Sequence, residues 1–102
     1  MVNVYRGEVS IVLDKNSYVM VPSFSVLVNI EEELNCSILD LVHKVSQNQY
    51  LSLKEIEVII RCSIQDLNIT NLKEVIYSMG VVNILPSVMK FIENSIGGND
   101  KC

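Results

Sequence analysis

The segment from Glu8 to Ser25 constrains the fold more than any other part of the chain. Val9, Ile11 and Leu13 alternate with Glu8, Ser10 and Val12, the period-2 pattern of a half-buried strand. Asp14-Lys15-Asn16-Ser17 are turn formers, with Asn16 able to take a left-handed conformation. Tyr18-Val19-Met20-Val21 reads as a short return strand, ended by Pro22, which cannot donate to a ladder. Ser23 then offers an N-cap to the apolar run behind it. A strand, a tight turn, a returning strand and a capped helix leave little choice. The chain starts as a hairpin and continues as helices.

After the hairpin, four or five short helices are predicted. Phe24–Leu34 carries a stripe of Phe24, Leu27, Val28, Ile30 and Leu34. Ile38–Ser46 follows, capped by Ser37 with Asp40. Ser52-x-x-Glu55 is a capping box that opens Leu53–Leu67, and Asn71-x-x-Glu74 is a second one that opens Leu72–Met79. Gly80 is placed to end that helix in a left-handed cap. The last helix runs Val81–Ile96 and is stopped by Gly97-Gly98. Pro86 forces it either to begin near the proline or to kink there. The fold class is therefore α+β: an N-terminal two-stranded antiparallel β-hairpin packed on a bundle of four to five short α-helices. The expected organisation is a single domain over residues 1–98, with the hairpin at about 7–21, helices at about 24–96, and a frayed tail at 99–102.

Composition narrows the function classes. The 102 residues are 49% hydrophobic and the mean hydropathy is +0.32. Yet no apolar run approaches the ~20 residues of a membrane span. The first residues also lack the basic and continuously apolar regions of a signal peptide. The excess apolar content reads as a large core plus an apolar surface for a protein partner. A net charge of −4 without a lysine or arginine cluster argues against direct nucleic-acid binding, which needs a positive surface. Cys36, Cys62 and Cys102 lack paired spacing and read as free thiols in a reducing cytoplasm.

Catalysis finds no support. His43 is the sole histidine and falls on the polar side of its helix, three residues from Asp40, with neither a nucleophile nor a set of metal ligands to join. Consecutive Glu31-Glu32-Glu33 diverge by about 100° each and cannot converge on one point. Gly7 is the only glycine before Gly80, so no phosphate-cradling loop exists. The reading is non-enzymatic, with no cofactor and no metal. Two side-chain assignments follow. Glu31 lies at the edge of its apolar stripe, where a bond to Arg6 or Tyr18 would tie hairpin to helix. The third and last helices are more apolar than one buried face demands. A central, many-sided packing explains that. Alternatively, Val58, Cys62, Val82, Met89 and Phe91, off the central stripes or at their margin, receive a partner by the helix-in-groove mode.

Arg6-Gly7-Glu8-Val9, Tyr18, Ile30-Glu31 and the Ser52-x-x-Glu55 helix start, in this order of elements, resemble a family of gene transfer agents and related prophages described as tail tube-associated or tail assembly chaperone proteins. The resemblance implies a role in phage-tail-like morphogenesis, as assembly chaperone or minor tail component. It implies other tail proteins as partners, a tape-measure or tube protein among them. It places the protein in the bacterial cytoplasm or in a phage-like particle. A small adaptor or regulatory domain of prophage origin is the competing reading. The free edge of the hairpin offers a route to a homo-oligomer.

Overall fold

A computed structural model describes residues 7–95 of the chain. Two antiparallel strands, β1 (Val9–Leu13) and β2 (Asn16–Met20), are followed by helices α1 (Phe24–Leu34), α2 (Ile38–Ser46), α3 (Leu53–Ser63), α4 (Leu72–Met79) and α5 (Val81–Asn94). The fold is α+β, a two-stranded sheet with five helices.

The hairpin pairs Leu13 with Asn16, Ile11 with Tyr18 and Val9 with Met20. Its turn takes the first two residues of the Asp14–Ser17 stretch. Asp14 and Lys15 take positive φ, 51° and 73°, which makes a two-residue loop of the type whose twist matches the strands. Asn16 instead opens β2, and its side-chain amide donates to the Asp14 carbonyl at 3.5 Å. Val9, Ile11, Leu13 and Met20 bury one face. β2 stops at Met20, and the next amide, Val21 N–H, donates to the Ser63 carbonyl at 3.0 Å.

That bond accompanies a second correction. The apolar pattern extends α3 to Leu67, but the helix ends at Ser63 and Ile64 turns extended (φ −106°, ψ 114°). With the Ser63 carbonyl given to the hairpin side and its hydroxyl donating to the Ile60 carbonyl at 3.3 Å, the chain leaves the helix. Ile64 is still buried by the segment that follows.

The caps of α1, α2 and α3 form as their sequences indicate. Ser23 Oγ accepts from Val26 N–H at 3.3 Å, while Ser37/Asp40 and Ser52/Glu55 make reciprocal capping boxes. At α4 the box is absent: Asn71 makes no side-chain cap bond, although the helix keeps its expected bounds. Gly80, at φ 86° and ψ 122°, ends α4 by donating to the Ile76 and Tyr77 carbonyls, and it is also the residue from which α5 starts. α5 begins at Val81 and runs through Pro86. Proline has no N–H for the Val82 carbonyl. Val82 and Pro86 share an exposed turn, where water can supply the missing donor. Ile96, the Gly97-Gly98 stop and the tail at 99–102 lie outside the described residues.

The core joins every element. β1 packs on α5 and α4, β2 on α3, α1 on α3 and α2 on α5. Ile56, Ile59 and Ile60 of α3 and Ile84, Val88, Phe91 and Ile92 of α5 are at most 2% exposed. Both helices are central and enclosed on several sides, which accounts for their excess of apolar residues. No single helix is long and apolar enough to cross a membrane. α4 and α5 together reach that length and composition, but they are bent by 113° at Gly80.

Candidate functional site: a groove between two helices

On the outward side of α3, Lys54, Glu57, Val58 and Arg61 fall three or four residues apart and so form one stripe. Lys73, Ile76 and Tyr77 do the same on α4. These stripes, with Leu53 at one end, Val81 of α5 and Glu33 of α1, line a groove of about 560 Å³. A second depression of about 510 Å³ shares Glu57, Arg61 and Lys73 and continues along the loop that joins α3 to α4. Val58 and Ile76 form the apolar floor, at 2% and 6% exposure. Leu53 (66%) and Tyr77 (85%) stand open to solvent on opposite walls.

Arg61 organises the rim. Its Nη1 and Nη2 donate to the two carboxylate oxygens of Glu33 at 3.1 and 3.2 Å, and its Nε donates to Glu57 at 2.9 Å. The hydrogen bond from Arg61 holds the Glu33 carboxyl below the usual carboxylate range, and the two glutamates push the guanidinium up. This fork pins α1 to α3. Lys54 and Lys73 make no hydrogen bond or ion pair among the described residues. Lys54 acts on Glu33 only at a distance.

The Cys36 and Cys62 thiols are both pushed up by burial, so neither is a ready thiolate. His43 is exposed on α2 and does not line the groove. Among the described residues no group of three or more His, Cys, Asp or Glu is placed to hold a metal.

Several sequence-derived assignments change. Val58 (2% exposed) and Phe91 (0%) are enclosed, so neither presents a contact surface, although Val58 underlies the groove. Off-stripe positions looked free because a surface helix has one packed face, whereas α3 touches α1, α4, α5 and β2. Cys62 and Met89 are half-buried against the core, and Val82 is 81% exposed but outside the groove. These five residues do not form one patch. Conversely, Leu53 falls with Ile56, Ile59 and Ile60 on the apolar stripe of α3, yet as the first helical residue it is exposed.

Among the described residues Glu31 serves a different joint from the hairpin link. Its Oε2 accepts from Ile38 N–H at 2.9 Å, so it joins α1 to the start of α2 across the left-handed turn at Asn35. Tyr18 is half-buried against the core and makes no bond to Glu31. Arg6 lies outside the described residues. The residues that sequence reasoning missed are Leu53, Tyr77, Lys54 and Lys73. Only the shared i, i+3, i+4 spacing of Lys73, Ile76 and Tyr77 hinted at a face, and the sequence could not say that α3 would stand opposite it.

No curated protein and no solved structure matches the chain. A family model does, from residue 6, at the start of the hairpin, through residue 92, near the end of α5. With the match covering hairpin, groove and core alike, the chain belongs to the family described as phage tail tube protein, GTA-gp10.

Proposed function

We propose that this protein is a non-enzymatic morphogenesis factor of a phage-like tail, a tail assembly chaperone or minor tail component, that works by binding another tail protein. The observation that carries this reading is the family match across residues 6–92. The groove between α3 and α4 supports it, because its walls expose Leu53 and Tyr77 above an apolar floor. Solvent-facing apolar side chains grouped in a concavity are the usual mark of a protein-binding surface. In this reading the protein meets its partner in the bacterial cytoplasm during assembly.

Deleting the gene and imaging the particles by electron microscopy tests the proposal. Short, missing or misassembled tails are expected, and normal tails at normal titre overturn it in favour of an adaptor without a tail role. Mass spectrometry of purified particles separates the two forms. A fixed copy number identifies a tail component, and absence identifies a transient chaperone.

A further inference from the structure

We propose that the groove between α3 and α4 accepts an amphipathic α-helix of a partner protein whose apolar stripe is flanked by carboxylates. The inference rests on the binding role above and adds the chemistry of the partner. Two observations carry it. The first is the backbone. Both long walls are helices, whose N–H and C=O groups are bonded internally, so the groove offers an incoming segment side chains and no ladder. An extended peptide would give up water from its backbone groups and find no replacement, whereas a helix satisfies its own. The second is charge. Of the six lysines and arginines among the described residues, Lys54, Arg61 and Lys73 line this groove, in a chain of net charge −4. Arg61 is spent on Glu33 and Glu57, the two carboxylates of the rim. That leaves the Lys54 and Lys73 ammoniums on opposite walls as unpaired donors. A helix laid between them would set leucine-like side chains on Val58 and Ile76, against Leu53 and Tyr77, with acidic residues along its flanks to reach the lysines.

The experiment uses the full chain, labelled with ¹⁵N, and two synthetic helical peptides. Both carry leucines at i, i+3, i+4 and i+7; one has glutamates flanking the stripe, and its isomer has lysines there. The glutamate peptide should bind at least about tenfold more tightly, shift amide signals around Leu53, Arg61 and Tyr77, and weaken with added salt. In the K54E/K73E double variant the preference should invert towards the lysine peptide. Leu53→Ser with Tyr77→Ser should weaken both peptides. All four positions are exposed, so an unchanged Tm confirms that each variant is folded.

Equal affinity for the two peptides, or shifts confined to another surface, overturns the proposal. So does self-association that Leu53→Ser with Tyr77→Ser abolishes, since it assigns the groove to a second copy. The tail role fails separately. If the glutamate peptide does not bind but deletion still destroys tails, the partner chemistry is wrong and the role stands. If the peptide binds as expected and deletion leaves tails intact, the groove assignment stands and the role falls.

Discussion

α3 and α4 face each other across one groove, but they are held in place very differently. α3 has a reciprocal capping box, a fork of ion pairs to α1, and five buried residues, Ile56, Val58, Ile59, Ile60 and Ser63. α4 has eight residues, no side-chain N-cap bond, and two buried residues, Leu72 and Ile76. Short helices gain most of their stability from packing rather than propensity, so α4 depends on those two anchors and on the glycine at its end. The comparison teaches that one wall is fixed and the other lightly seated.

The sharpest way to break this picture is to truncate one anchor on each wall. Ile59→Ala, at a fully enclosed site, should cost about 3–4 kcal/mol in urea unfolding, and Ile76→Ala about 2 kcal/mol. Equal costs would mean that α4 is as deeply embedded as α3. Next comes Gly80→Ala. Its φ of 86° is rarely adopted by residues with a Cβ, and an added methyl would lie 3.3 Å from the Asn83 side-chain nitrogen. A loss of about 2 kcal/mol is expected, read as a lower Tm. The caps give a smaller and more pointed contrast. Ser52→Ala should cost about 1 kcal/mol and Asn71→Ala less than about 0.5 kcal/mol, because only the serine accepts a cap bond.

The smallest effect concerns pH. Burial alone would raise the Glu55 carboxyl, but the Ser52 N–H at 2.7 Å and the Lys44 ammonium at 3.0 Å outweigh it and hold the group below its ordinary 4.5. A carboxyl depressed in the folded state stabilises above its unfolded pKa, and that contribution fades as pH falls below about 4.5 through the folded value. Glu55→Gln keeps a side-chain acceptor for the Ser52 N–H but removes the charge. It should flatten the acid limb of the stability–pH curve by less than about 1 kcal/mol. An unchanged acid limb would show that the bracing of α3 owes little to this ion pair.

The local chemistry of this chain was readable from its sequence, and its long-range geometry was not. Ser23, Ser37/Asp40 and Ser52/Glu55 announced three helix starts because a cap needs only residues within one turn. α3 ended early because the Ser63 carbonyl bonds Val21, more than forty positions away, and no local pattern encodes that. Asn71-x-x-Glu74 has the spacing of a capping box, yet at φ −129° and ψ 73° Asn71 lacks the extended geometry that aims such a side chain. The groove was hidden for the same reason as the end of α3. Val58 is enclosed because α3 is packed by α1, α4 and α5 at once, whereas Leu53, at the first position of the helix, stays exposed. Excess apolarity on α3 and α5 was correctly visible, but it measures how many neighbours a helix has before it measures any partner.

Gly7, at φ 77°, packs so tightly that an added methyl would meet Pro22 at 3.2 Å and Asn94 at 3.3 Å, and the Asn94 amide donates to the Gly7 carbonyl at 3.4 Å. The entrance to the hairpin and the exit from the last helix are thus clasped together across 87 positions of chain. A folded unit whose two ports adjoin can be spliced into a host loop, or strung between neighbours, without stretching its core. Relocating the opening should be tolerated as well: a chain that runs from Ser95 to Gly7 through a short linker and opens at the exposed Gln47–Tyr50 bend keeps every described helix and the hairpin whole.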